Sequence, residues 1–241
     1  MGVRGVPMLA FDTLNVSDKI KTVLNQYSVD FVFQPIFSRT NARIGYEALM
    51  RPKGKNILDF IDEMQEKEKL HELELLTFFG ATMAYKERNY NELLSINSFP
   101  SEAFSKEEAL EYSLCFRPIK EKLIIEILEY TEEKQWTWEA KQEHINEYKG
   151  IEVALDDYGT GSNDINAVEY YQPQMIKIDR SLISDIDSDI EKQSKVLDLV
   201  KAMHERAVVV LAEGVETKEE YEWLLQAGAD FFQGYYLGRP A

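Results

Sequence analysis

The sequence predicts an α/β fold: a modified TIM-type (β/α)8 barrel with an antiparallel first strand pair. Three observations predict it. Short runs rich in β-branched and aromatic residues recur at Asp30–Phe37, Arg43–Met50, Leu94–Phe99, Lys122–Leu128, Ile151–Leu155, Met175–Ile178, Ala207–Leu211 and Ala229–Phe232. Charged stretches with helical spacing, at Asp59–Arg88, Lys134–Tyr148, Glu191–Glu205 and Lys218–Gln226, separate most of them. Eight strands with intervening helices over roughly 210 residues fit a closed barrel. The first two runs, however, are joined only by SRTNA, Ser38–Ala42, which is too short for a parallel crossover. A doubly wound open sheet is the alternative, but no GxGxxG follows any strand.

Taken in order, residues 1–28 read as an N-terminal extension with a short helix, and residues 29–241 as the barrel. The last helix carries its own boundaries. Thr217 followed by Glu220 is a capping-box signature, and Gly228 suits the C-terminal end.

Composition narrows the function. Against 27 Lys and Arg stand 43 Asp and Glu, a formal charge of −16, so a bare phosphate backbone is repelled and polymeric nucleic acid is excluded as a partner. A small phosphorylated ligand is compatible only where cations locally invert the field. Cys115 is the single cysteine, which leaves no disulfide framework or CxxC knuckle and points to a reducing compartment. No apolar run approaches the roughly 18 residues that span a bilayer, and the apolar stretch Val6–Phe11 is short for a signal peptide. The expectation is a cytoplasmic protein without membrane insertion.

Polar residues interrupt the apolar runs at telling places. Glu47 stands in GYEALM, Asn97 in LLSINSF and Glu126 in LIIEIL; Asp156 and Asp157 end IEVAL, Lys177 lies in MIKI, Glu213 ends VVVLA and Gln233 ends ADFF. Strands two to eight thus each carry a polar residue at or near the C-terminal end, and in a barrel those ends converge on one face. Any one alone reads as an exposed or salt-bridged strand end. Five carboxylates together would raise one another's pKa unless cations neutralise them. Oxygen donors suit Mg²⁺ or Mn²⁺ better than zinc. Adjacent Asp156 and Asp157 allow one carboxylate to bridge two ions while the other holds the second, the arrangement of two-metal sites that displace at phosphorus.

The same residues carry a resemblance to a known family. FQPI (Phe33–Ile36), YEALMR (Tyr46–Arg51), IN (Ile96–Asn97), EILE (Glu126–Glu129), DDYGTG (Asp156–Gly161), KIDRS (Lys177–Ser181), AEGVET (Ala212–Thr217) and QGYYLGRP (Gln233–Pro240) stand in the order found in the EAL-domain cyclic di-GMP phosphodiesterases. The chain resembles that family from about Phe31 to Pro240. The resemblance implies hydrolysis of cyclic di-GMP to linear 5′-pGpG by in-line attack of water, with two Mg²⁺ or Mn²⁺ ions per site. It implies Glu47, Asn97, Glu126 and Asp156 as ligands of one ion, and Asp156, as a bridge, with Asp157 as ligands of the other. Glu213 would ligate the second ion or serve as general base. Lys177 would position the water, and Gln233 would complete the hydrogen-bonding shell. Glu129 would hold the loop after the double aspartate, and Gln34 and Arg51 would contact substrate. A homodimer is the assembly the resemblance implies.

Departures from the family pattern are Pro52 after YEALMR, where an aromatic is usual, and Ser162-Asn163-Asp164 after DDYGTG. The first bears on the edge of the ligand pocket, the second on dimer geometry and regulation. Two rival functions remain open: a receptor that captures cyclic di-GMP without hydrolysis, and a barrel lyase using Lys177 as a Schiff-base nucleophile. Asp185-Ile-Asp187-Ser-Asp189 opens like a calcium loop, but Ile190 and Val196 occupy the places of its glycine and terminal glutamate, so it reads as a solvated turn. His71, His144 and His204 lack metal-ligand spacing, and the acidic stretch Ser105–Glu111 reads as a solvated helix face.

Overall fold

A computed structural model describes residues 11–128, 139–143, 152–159 and 165–241. These residues form eight strands that close into a barrel in sequence order. They are β1 (Val29–Ser38), β2 (Arg43–Pro52), β3 (Leu93–Ser98), β4 (Leu123–Ile127), β5 (Glu152–Tyr158), β6 (Met175–Ile178), β7 (Val209–Ala212) and β8 (Phe231–Phe232). β1 runs antiparallel to both β2 and β8, and the remaining neighbours are parallel. The four-residue link between β1 and β2, residues 39–42, leaves no other arrangement. β8 meets β1 only at Phe37 and Ser38. The chain then returns, and Ala241 exchanges two backbone hydrogen bonds with Phe33 (3.0 and 3.2 Å), extending that seam.

Around the barrel lie α1 (Asp18–Gln26), α2 (Ile57–Glu66), α3 (Leu70–Glu87), α4 (Lys106–Phe116), α5 (described over residues 139–143), α6 (Ile165–Tyr171), α7 (Arg180–Ile183), α8 (Ile190–His204) and α9 (Lys218–Ala227). The stretch expected as one helix over Asp59–Arg88 is two, because the chain turns at Lys67–Lys69 with Glu68 at φ +57°. The helix at Ser105–Glu111 is not merely a solvated face. It extends to Phe116, buries Ala109, Tyr112 and Phe116, and turns Glu108 inward to complete a capping box with Ser105. α9 is bounded as its sequence predicts, by a Thr217–Glu220 capping box and by Gly228 in the left-handed region. Asp189 accepts hydrogen bonds from the Glu191 and Lys192 amides and caps α8, which gives the aspartate-rich turn a structural role.

Two apolar clusters hold the layers together. The larger fills the space between strands and helices and includes Ile20 and Leu24 of α1, both wholly buried. The smaller contains Ile36, Ile124, Ala154, Met175 and Leu211. Side chains alternate along a strand, so Ile124, Ala154, Met175 and Leu211 share the inward face with Glu126, Asp156, Lys177 and Glu213, two residues further on. A dry plug therefore lies directly beneath the polar strand ends.

Candidate active site

Above that plug, Lys177 is the centre of the site. Its side chain is 0% exposed, and its Nζ lies 2.9 Å from Glu126 Oε2, 3.0 Å from Asp156 Oδ1, 3.0 Å from Glu213 Oε2 and 3.4 Å from Glu47 Oε2. β2, β4 and β5 each contribute one acid to the same ammonium, and the residue just after β7 contributes the fourth. Glu47 is steadied on both oxygens: Asn97 Nδ2 donates to Oε1 at 3.0 Å and Gln233 Nε2 to Oε2 at 2.7 Å. Ser95, two residues before Asn97 and hence on the same face, donates to Glu126 Oε1 at 2.5 Å. Ser95 was not among the residues expected here, although the two-residue period that placed Asn97 also points to it.

Asp157 follows Asp156, and in a regular strand the two would face opposite ways. Instead β5 slips register against β6 between Leu155 and Tyr158, and Asp157 has φ +49°. Such a bulge re-aims side chains locally, and a non-glycine residue in this region costs about 1–3 kcal/mol. Gln34 lies opposite Glu47 in the β1–β2 register, and its Nε2 reaches the Gly238 carbonyl at 3.4 Å. Arg51, four residues beyond Glu47, is exposed on the rim and donates to the Met50 carbonyl. Thus Glu47, Asn97, Glu126, Asp156, Lys177, Glu213 and Gln233 come together, while Gln34 and Arg51 flank them. Glu129 and Ser162-Asn163-Asp164 lie outside the described residues.

The electrostatics follow from burial against a shared ammonium. Burial pushes the Glu47 carboxyl up, but Lys177, Gln233 and Asn97 outweigh it and hold it below its ordinary value. Glu126 goes the other way, pushed well up by burial and by the charges of Glu47 and Asp156. Glu213, at the open edge with 32% of its side chain exposed, is pushed up to about 8 by burial, with Glu47 and Asp156 adding to it against Lys177. Burial alone would lower Lys177, yet Asp156, Glu126, Glu213 and Glu47 together raise it well above its ordinary value. An ammonium held by four carboxylates within 3.4 Å is a poor Schiff-base nucleophile, which argues against a lyase.

The donors are all oxygen: four carboxylates, with the amide of Asn97 beside them. Gln233 Oε1 is buried and has no hydrogen-bond partner among the described residues. This chemistry fits a hard divalent cation rather than a thiophilic one. Among the described residues, no three His, Cys, Asp or Glu side chains stand grouped to hold a metal as they are. The acids are instead gathered on the lysine.

The closed eight-strand barrel, with acids converging at the C-terminal ends of its strands, places the chain among modified (β/α)8 barrels. Within that class the chain belongs to a definite family: the EAL domain model matches residues 17–240. Among curated relatives, it is 40% identical over 92 residues to the probable cyclic di-GMP phosphodiesterase PdeN of Escherichia coli K12, covering 38% of this chain and 18% of that one. It is 29% identical over 213 residues to the blue light- and temperature-regulated antirepressor BluF of the same organism, covering 85% of this chain and 52% of BluF. The chain therefore spans about half or less of the length of these relatives. Among solved structures, a standalone EAL protein from Vibrio cholerae O395 with cyclic di-GMP bound superposes with a TM-score of 0.80 at 26% identity, covering 89% and 93% of the two chains. No helix among the described residues is long and apolar enough to cross a membrane.

Proposed function

We propose that this protein hydrolyses cyclic di-GMP to linear 5′-pGpG with the help of two Mg²⁺ or Mn²⁺ ions. The observation that carries this reading is the convergence of Glu47, Glu126, Asp156 and Glu213 on Lys177 at one end of the barrel. Family membership and the phosphodiesterase name of PdeN support it. Glu47, Asn97, Glu126 and Asp156 would hold one ion, and Asp156 with Asp157 the other. When bound, such ions lower the pKa of water and stabilise charge on phosphoryl oxygens.

The chain's own groups do the rest. The Lys177 ammonium orients the attacking water and counters charge developing on the phosphate. Glu213, at the open edge of the cluster, receives the water's proton. Gln233 holds Glu47 in register with the centre. Gln34 and Arg51, on the flank and rim, contact the nucleotide, Arg51 through a phosphate oxygen or a guanine edge. The 3′ oxygen leaves, and the ring opens.

The test is incubation of the protein with cyclic di-GMP and Mg²⁺ or Mn²⁺, with an EDTA control, products being separated by chromatography. Metal-dependent 5′-pGpG is the expected result; its absence would overturn the enzyme reading. A second reading, a receptor that binds the nucleotide without cutting it, is favoured by one observation: BluF, matched over most of this chain, is named for regulation. Tight binding of cyclic di-GMP with no product would select it.

A further inference from the structure

Outside the barrel wall, a second buried ion pair grips the strand that carries Asn97. Glu74, on α3, and Lys141, on α5, are both buried, with Lys141 Nζ 3.2 Å from Glu74 Oε1. Each polar atom of this pair is turned on the end of β3. Glu74 Oε1 accepts from Ser98 Oγ at 2.5 Å and Oε2 from the Phe99 amide at 3.1 Å. Lys141 Nζ donates to Ser98 Oγ and to the Phe99 carbonyl, both at 2.6 Å. The three protons of the ammonium thus have three acceptors, and both backbone polar groups of Phe99 are held.

The place of this grip is specific. The register of β2 with β3 ends at Ala48–Ile96, one residue before Asn97. From Asn97 onward β3 is paired only on its β4 side, Asn97 with Glu126 and Ser98 with Ile127. Asn97 faces inward to Glu47 while Ser98, the next residue, faces outward, where Glu74 and Lys141 replace the missing strand. Burying two opposite charges gains little net stability over an apolar pair of similar size, because desolvation offsets their attraction. What the pair supplies is direction, with every bond aimed at two residues.

We infer that Glu74 and Lys141 are positioning residues for Asn97, setting where its amide meets the cation held with Glu47, Glu126 and Asp156. This inference rests on the metal-ligand reading proposed above. Such outer partners typically alter metal affinity by 10–100-fold.

The experiment is a double-mutant cycle on the full chain, Lys141→Met crossed with Asn97→Ala, reading Mn²⁺ affinity by calorimetry with folding checked by circular dichroism. Lys141→Met should weaken Mn²⁺ binding by roughly 10–100-fold in the wild-type background and by less than about twofold once Asn97 is gone. An equal loss in both backgrounds, or no loss in a folded Lys141→Met protein, would overturn the inference. If Lys141→Met does not fold, Ser98→Ala, which keeps both charges, takes its place in the same cycle and is judged by the same dependence on Asn97. Failure of the wild-type protein to bind Mn²⁺ would instead sink the metal-ligand reading, and this inference with it.

Discussion

Lys177 Nζ lies 2.9 Å from Glu126 Oε2, and neither side chain has more than 1% of its surface exposed. The pair is the innermost contact of a cluster in which one ammonium answers four acids. Removing the ammonium would leave those acids buried without a counter-charge. Lys177→Met should therefore cost about 3–5 kcal/mol of stability in EDTA, the usual penalty for breaking a buried pair from one side. Added Mn²⁺ should restore part of it, because a cation gathered by the acids takes over the lost charge. Denaturant titration in EDTA and in Mn²⁺ measures both. A variant as stable as wild type in EDTA would mean that the acids do not depend on Lys177.

Asp156 and Glu213 separate two roles. Asp156→Asn keeps the shape of the side chain but removes a negative oxygen from the centre, and turnover of cyclic di-GMP should fall below detection with the fold intact. Glu213→Gln should cost about 10²–10⁴-fold in kcat, the range for a lost general base. A loss under tenfold would take the proton-accepting role away from Glu213. Chromatography of the linear product measures each.

The barrel and the convergence of most candidate residues on one face were legible from the two-residue period of the strands. Polar residues at strand ends sit two residues beyond apolar plug residues, as Glu126 does after Ile124 and Lys177 after Met175, so the strand pattern alone assigns them to one face. Lys177 was legible as a candidate but not as the centre of the acid cluster, since the position of an ammonium among acids depends on the curvature of the closed sheet. The left-handed Asp157 leaves no mark in the sequence, because nothing but the register of β5 on β6 requires it. The Glu74–Lys141 grip was hidden for another reason. Glu74 lies in the helical run LHELELL like any surface acid, and its partners stand 24 and 67 residues away. The break between α2 and α3 falls in Lys67-Glu68-Lys69, which contains no glycine or proline to announce it.

Gly234 joins Gln233 to the returning tail, and there is no room for a side chain on it. A Cβ would lie 2.1 Å from the Val215 carbonyl oxygen and 2.2 Å from its amide nitrogen, at φ +155°. The obstacle is backbone, which cannot swing aside as a side chain would. Gly234→Ala should destabilise the protein by at least about 1–3 kcal/mol, the cost of overpacking. It should also weaken activity, because Gln233 must shift with its neighbour and release Glu47. Thermal melting and product formation measure the two effects, and a variant with wild-type melting would contradict the close approach.

His71, near the start of α3, ties stability to pH. Its Nε2 lies 3.0 Å from Glu108 Oε2 and its Nδ1 3.5 Å from Glu102 Oε2. Hydrogen bonds to Glu102 and then Glu108 push its pKa up to about 9, against burial. A raised folded-state pKa means that the unfolded chain releases the proton first as pH rises. The stabilisation is therefore complete below the unfolded value of about 6.5 and is lost as pH climbs through about 9. With 38% of the imidazole exposed, solvent screening keeps the effect within about 1 kcal/mol. The stability of wild type minus that of His71→Gln should be largest near pH 6 and should fall to a constant by pH 10, as read by urea titration. A difference that does not change with pH would show that the imidazole holds Glu102 and Glu108 without its charge.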